Sequence, residues 1–240
     1  MAKLIIDTCS WLEISKPRFS EVLAELEDQV NKGQTVLLTS EIIIEEWDRN
    51  KNRIIQDIKA SIRSHAKSAL KLTEFLEETE AKQILDIVGK YKSEEAKQEE
   101  LAMTHFNRVE KILKSSTIYP ISDKLKLEVT ERALQKKAPF HNSKNNTADA
   151  LLYLGAVEYV DKEAQVATDL FFVTINYKEF ADPKDSTKLH PELEKRNVHF
   201  YNNLAQALKM RAELVDEMDE YHEYQLWNWI EDQAEIMRGK

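Results

Sequence analysis

The apolar positions of this chain follow two spacings, and the switch between them predicts most of its elements. Leu4-Ile5-Ile6 is a short continuous apolar run ending in Asp7-Thr8, as a strand covered on both faces would end. Phe19, Val22, Leu23, Leu26 and Val30 then recur at three- and four-residue steps, predicting a helix that Gly33 closes. Thr35-Val36-Leu37-Leu38-Thr39 reads as a second strand, and Ser40 caps the helix after it. Two apolar strands joined by one helix make a βαβ unit. That unit predicts a parallel sheet with helices on both faces.

From Glu41 to about Lys114 the strand signal disappears. Ile54, Ile58, Ile62, Ala66 and Ala69 keep helical period, as do Ile84, Ile87, Val88 and Tyr91, and then Phe106, Val109, Ile112 and Leu113. This predicts a helical insertion over about 50–115. Ser115 to Ser122 is a connector, and Ser122 caps a helix running through Lys137. A helix over Asn146–Tyr159 follows, with Ala150, Leu151, Leu154 and Val157 on one face. Leu170 to Thr174 is the clearest strand of all, and Val198 to Tyr201 is a last short one. The expected organisation is one α/β domain over 1–203 and an acidic, aromatic, helical extension over 204–240.

Composition narrows the function. Only four glycines and five prolines occur in 240 residues, too few for an all-β sandwich, and no glycine-rich phosphate loop is present. One cysteine, Cys9, excludes an internal disulfide framework. The six histidines show no metal-binding spacing. The apolar run at the N-terminus is too short for a signal peptide or a membrane span, so a cytoplasmic location with no membrane association is expected. The net charge of −9 argues against a simple polyanion clamp, but the charge is unevenly spread. Lys59, Arg63, Lys67 and Lys71 fall at four-residue intervals; they form either a solvated helix flank or a rail for a phosphate backbone. The tail carries Tyr221, Tyr224, Trp227 and Trp229 among acids. It either packs on the domain or offers a surface to a second copy or a protein partner.

In open parallel sheets, ligands bind beyond the carboxyl ends of the strands. Asp7 ends the first strand, Glu45-Glu46 lie in the helix after the second, and Asp149 opens the helix leading to the strongest strand. Thr174 and Asn176 end that strand, with Asp182 six residues on. Carboxylates brought together repel, and the usual resolution is a hard cation with oxygen ligands such as Mg²⁺ or Mn²⁺. Other readings compete. Asp7 can cap a helix, Glu45, Glu46 and Asp149 can complement helix dipoles, and Asp182 before Pro183 can be a turn residue. A haloacid-dehalogenase-type phosphatase is disfavoured, because Cys9 stands where the second aspartate would be.

The segments LIIDTCSWL, TSEIIIEEW, NNTADALLYLGA and FVTINYKEFAD occur in that order, and together they resemble the PIN-domain nucleases, in the larger branch with helical insertions. The resemblance covers about 3–48 and 130–201. It implies a Rossmann-like α/β fold and a Mg²⁺- or Mn²⁺-dependent endonuclease, acting on RNA in preference to DNA and leaving 5′-phosphate and 3′-hydroxyl ends. A role as a toxin or defence effector is among those implied. Asp7, Glu46 and Asp149 match the family's first three acids and would hold the metal, with Asp182 or Asn176 at the fourth position. Asn146, Thr174, Asn176 and the cations Lys59, Arg63 and Lys67 are the expected substrate contacts. The neutral Asn176 keeps a second reading open, a catalytically weak or inactive module that binds nucleic acid or protein.

Overall fold

The computed structural model describes residues 2–141, 146–163, 168–195 and 197–214. The aromatic extension beyond 214, with Tyr221, Tyr224, Trp227 and Trp229, lies outside the described residues.

Strand β1 (Ala2–Ile6) leads through helix α1 (Thr8–Ile14) and a single tight turn at Pro17–Phe19 into α2 (Ser20–Asn31). Gly33 follows α2 at φ 67°, the left-handed conformation that a glycine adopts without strain. Strand β2 (Thr35–Thr39) then runs into α3 (Glu41–Leu72). The cap expected at Ser40 is present: its hydroxyl accepts a hydrogen bond from the Ile43 N–H at 3.4 Å. Helices α4 (Glu78–Ser93) and α5 (Glu95–Lys114) complete the helical segment, followed by β3 (Thr117–Ile118) and α6 (Asp123–Leu134). Ser122 caps α6 through the Leu125 N–H. Helix α7 (Thr147–Glu163), β4 (Leu170–Val173), the one-turn α8 (Tyr177–Phe180), the hairpin β5 (Ala181–Asp182) and β6 (Asp185–Leu189), and β7 (Val198–Tyr201) follow. Residues 204–214 are helical.

The main sheet has the order β3-β2-β1-β4-β7, and every pairing in it is parallel. The chain winds outward one way from β1 through β2 and β3, then returns to the other side of β1 with β4 and β7. This reversal between β1 and β4 opens a crevice at the carboxyl ends of those strands. Leu4, Ile5, Ile6 and all four residues of β4 are buried, which is why both strands read as unbroken apolar runs.

The helical segment shares the core of the sheet. Helix α3 is unbroken for 32 residues, so residue 50 lies in mid-helix, about a turn past Glu46. Helix α5 packs back along it, burying Phe106, Val109 and Leu113, with the Trp47 and Phe106 rings stacked at 5.1 Å. Burying a side chain of that size contributes about 1.5–3 kcal/mol, enough to hold the root of α3 against the sheet. At the other flank the 204–214 helix lies on α2. The Gln29 amide donates to the Leu208 carbonyl at 3.2 Å, and buried Arg211 donates to the Gln34 carbonyl at 2.6 Å.

Several short elements escape the sequence pattern, the one-turn α8 among them. Strand β3 is two residues long, within the expected connector, and the β5–β6 hairpin is exposed over much of its length. Neither has enough apolar residues to give a periodic signal.

Candidate active site

Asp7 follows β1 at the crevice and is buried. It occupies the N-cap position of α1, yet its side chain makes no capping hydrogen bond. Its Oδ2 instead accepts from the Thr174 hydroxyl at 2.7 Å and from the Cys9 thiol at 2.6 Å. The Thr174 hydroxyl also accepts from the Asn176 N–H at 3.0 Å. One hydroxyl thus joins the ends of the two strands at the reversal point. Ser10, a candidate cap in sequence, instead accepts from the Ile175 N–H at 3.0 Å and holds the same loop.

Glu46, on the second turn of α3, accepts from the Thr8 hydroxyl at 2.7 Å. Asp149 lies in the first turn of α7. Asp7, Glu46 and Asp149 line one open pocket of about 430 Å³, together with Cys9, Asn50, Arg53 and Asn176 among others. Glu45 is exposed on the other side of α3 and does not line it.

The electrostatics follow from this crowding. Burial pushes the Asp7 carboxyl above its ordinary range; the Cys9 and Thr174 donors oppose the shift, and the Glu46 charge adds to it. Asp149 is pushed up to about 8 by burial, then by the charges of Asp7, Glu179 and Glu46, with a hydrogen bond from the Asn176 side chain pulling the other way. Burial and the adjacent Asp7 push the Cys9 thiol up to about 12, so it is a neutral donor to Asp7 and no nucleophile.

Several expected contacts fall elsewhere. Asp182 is outside the pocket: its carboxylate accepts from the Lys184 N–H at 2.7 Å and shapes the β5–β6 turn. The acid that Asp149 senses from the segment after β4 is Glu179, buried in α8 and missed because no apolar period marks a four-residue helix. Thr174 is buried, donates to Asp7 and accepts from the Asn176 N–H, and does not line the pocket. Asn146 is buried and donates to the Pro139 carbonyl at 2.6 Å, a tie within the chain. Lys59 pairs with Glu99 at 3.1 Å, and Arg63 pairs with Glu95 and Glu99. Lys67 is exposed on the same stretch of α3. None of these three cations lines the acidic pocket. The ridge faces the acidic start of α5, which four-residue spacing alone does not show.

The cation that does line it is Arg53. Glu46, Asn50 and Arg53 stand at i, i+4 and i+7 on one face of α3, a signal present in the sequence and unused.

The PIN-domain sequence profile matches residues 4–180, about three quarters of the chain. This chain belongs to the PIN-domain family. The matched span runs through α3, α4 and α5, so the helical segment lies within the PIN region, although no motif in it was recognisable. Comparison with curated proteins and with solved structures gave no match. The fold is therefore of nuclease type, and PIN nucleases act on nucleic acids. No helix among the described residues is long and apolar enough to cross a membrane.

The PIN pocket offers oxygen donors of the kind hard divalent cations take. Among the described residues no three acidic, histidine or cysteine side chains form a ready ion cage. Thr8 and Thr174 hold Glu46 and Asp7 by single oxygens. The donor chemistry fits a divalent cation, which would favour the charged form of an Asp149 carboxyl raised first by burial and then by the neighbouring acids.

Proposed function

We propose that this PIN domain is a divalent-metal-dependent endonuclease cutting single-stranded nucleic acid, RNA in preference to DNA. The observation carrying the reading is the convergence of Asp7, Glu46 and Asp149 on one open pocket at the strand reversal, with Asp149 pushed up to about 8.

In this reading Asp7, Glu46 and Asp149 hold Mg²⁺ or Mn²⁺. When bound, the cation stabilises charge on the phosphoryl oxygens and lowers the pKa of water in the pocket. The remaining work belongs to the chain. Thr174 fixes Asp7 through one carboxylate oxygen. Thr8 does the same for Glu46. Asp149 gives up its proton on loading, and the amide of Asn176 orients it without adding charge. The open mouth of the pocket admits a chain in mid-strand, which suits an endonuclease. A role as a toxin or defence effector is compatible with this chemistry, as is one in RNA maturation.

Asn176 in place of a fourth acid favours the contrasting reading, a catalytically silent binding module. The discriminating experiment is cleavage of labelled single-stranded RNA and DNA by the full chain with Mg²⁺, Mn²⁺ or chelator, beside Asp7→Asn. Cleavage that needs metal and Asp7 supports the nuclease. Binding without cleavage, unchanged in Asp7→Asn, supports the module.

A further inference from the structure

We propose that Arg53 grips a backbone phosphate of the bound strand adjacent to the one being cut, which makes α3 the positioning wall of the pocket. The inference rests on the nuclease reading and adds to it a residue and a ligand chemistry, the phosphodiester anion.

Arg53 is the one cation among the described residues that line the acidic pocket. A cation placed there to neutralise the acids would pair with them. Among the described residues Arg53 forms no ion pair with them. On the same helix Lys51 pairs with Asp48 and Glu110, Lys59 with Glu99, and Arg63 with Glu95 and Glu99, while Arg49, Lys67 and Lys71 form no ion pair among the described residues but do not line the pocket. A guanidinium keeps its charge at any ordinary pH, and its planar fork matches two phosphate oxygens. An exposed Arg with no ion pair among the described residues, at the mouth of an acidic pocket, is thus poised for an anion that arrives with the substrate.

Geometry sets which phosphate. The Asn50 amide donates to the Glu46 carbonyl at 2.8 Å and fills the step between Glu46 and Arg53. Arg53 therefore stands two turns from Glu46, about 10 Å along the helix axis. That spacing suits Arg53 to a phosphate neighbouring the one held by the acids on the same strand. Ile175 adds a second feature at the pocket, an apolar side chain 42% exposed. A ribose or base covers such a surface, whereas an inorganic anion leaves it wet.

The test uses the full chain and a labelled single-stranded oligoribonucleotide of mixed sequence. Binding is followed by fluorescence anisotropy through a salt titration with Ca²⁺, and initial rates are followed with Mn²⁺. Arg53→Ala should raise KM roughly tenfold or more with kcat little changed, the signature of an interaction equal in ground and transition states. The slope of log affinity against log salt should shrink by about 1. Arg53→Lys should recover part of the loss, and Lys67→Ala, the same charge change outside the pocket, should move the slope less. The proposal is overturned if the parent cleaves and Arg53→Ala keeps parental KM and salt slope. It is also overturned if Arg53→Ala loses only kcat together with the Mn²⁺-induced rise in Tm, because Arg53 would then serve the acids. If the parent neither binds nor cleaves the oligonucleotide, the nuclease reading itself fails.

Discussion

Replacing Asp149 with Asn should make the metal-free protein more stable, increasingly so as pH rises. Asp149 is pushed from an ordinary 3.8 to about 8, first by burial and then by Asp7, Glu179 and Glu46. The folded state therefore keeps a proton that the unfolded chain has released. Stability from this group is fully present below about pH 4 and is lost as pH rises through about 8. Each pH unit in that window is worth about 1.4 kcal/mol, which sets a ceiling of about 5–6 kcal/mol. Water in the open pocket screens the repulsion, so about 2–3 kcal/mol is the expected loss. Asn cannot titrate, and it retains an amide to pair with Asn176. The assay is urea unfolding of parent and Asp149→Asn in chelator from pH 5 to pH 9. Titrations of groups away from the pocket cancel in the difference between the two proteins, while those of Asp7, Glu179 and Glu46, which interact with Asp149, contribute to it. The variant should match the parent within about 1 kcal/mol at pH 5 and exceed it by about 2 kcal/mol at pH 9. Added Mn²⁺ at pH 8 should reverse the order, because a ligand of the folded state alone stabilises by mass action. A difference flat with pH, or a variant less stable than the parent at pH 9, would refute the argument from crowded charge.

The remaining predictions rest on single contacts. Asp7→Asn should abolish the metal-induced rise in Tm along with cleavage, read by thermal melts with and without Mg²⁺. Thr174→Val keeps the side-chain shape but removes the Asp7 donor and the Asn176 acceptor; it should cost about 1–3 kcal/mol in urea melts and slow cleavage. Gly155→Ala should destabilise by about 1–3 kcal/mol despite the better helix propensity of alanine, as chemical unfolding would show. Its new Cβ would lie 2.9 Å from a ring carbon of Tyr119, which a hydrogen bond to the Leu152 carbonyl holds in place. Charge reversal at Lys59 or Lys67 should leave the salt dependence of oligonucleotide binding close to that of the parent, because both lie away from the pocket.

The strands nearest the site were legible in sequence for one physical reason. β4 is buried throughout, β2 at all but one position and β1 from Leu4 to Ile6, and these stretches read as continuous apolar runs. Ser40, Ser122 and Gly33 then fixed where helices begin and end, through side-chain caps and a left-handed residue that composition alone marks. Placing acids near strand ends pointed to Asp7, to Glu45 or Glu46 and to Asp149; the choice of Glu46 over Glu45 rested on the family resemblance. The outer parts of the site were harder. Glu179 hides in one helical turn, and Asp182 sits in a frame that fits an acid but bends into a hairpin. The 59–63–67 spacing found a true ridge but not its neighbours, since the acids that neutralise it are some thirty residues away on α5. Periodicity reports a face; only the fold reports what the face meets.

The hydrogen bond between Asp7 and Thr174 joins positions 167 residues apart. It has a consequence for the timing of synthesis. β1 is central in the sheet, and its partner on one side, β4, is made only after more than two thirds of the chain. A growing chain still on the ribosome can pair β1 with β2 and build α3, but Asp7 then lacks the hydroxyl that fixes it, and the wall after β4 is missing. Non-local strand pairing of this kind is also intrinsically slow. If the pocket cuts RNA as proposed, the nascent protein stays inert beside its own message and becomes a cutting tool only once β4 has emerged.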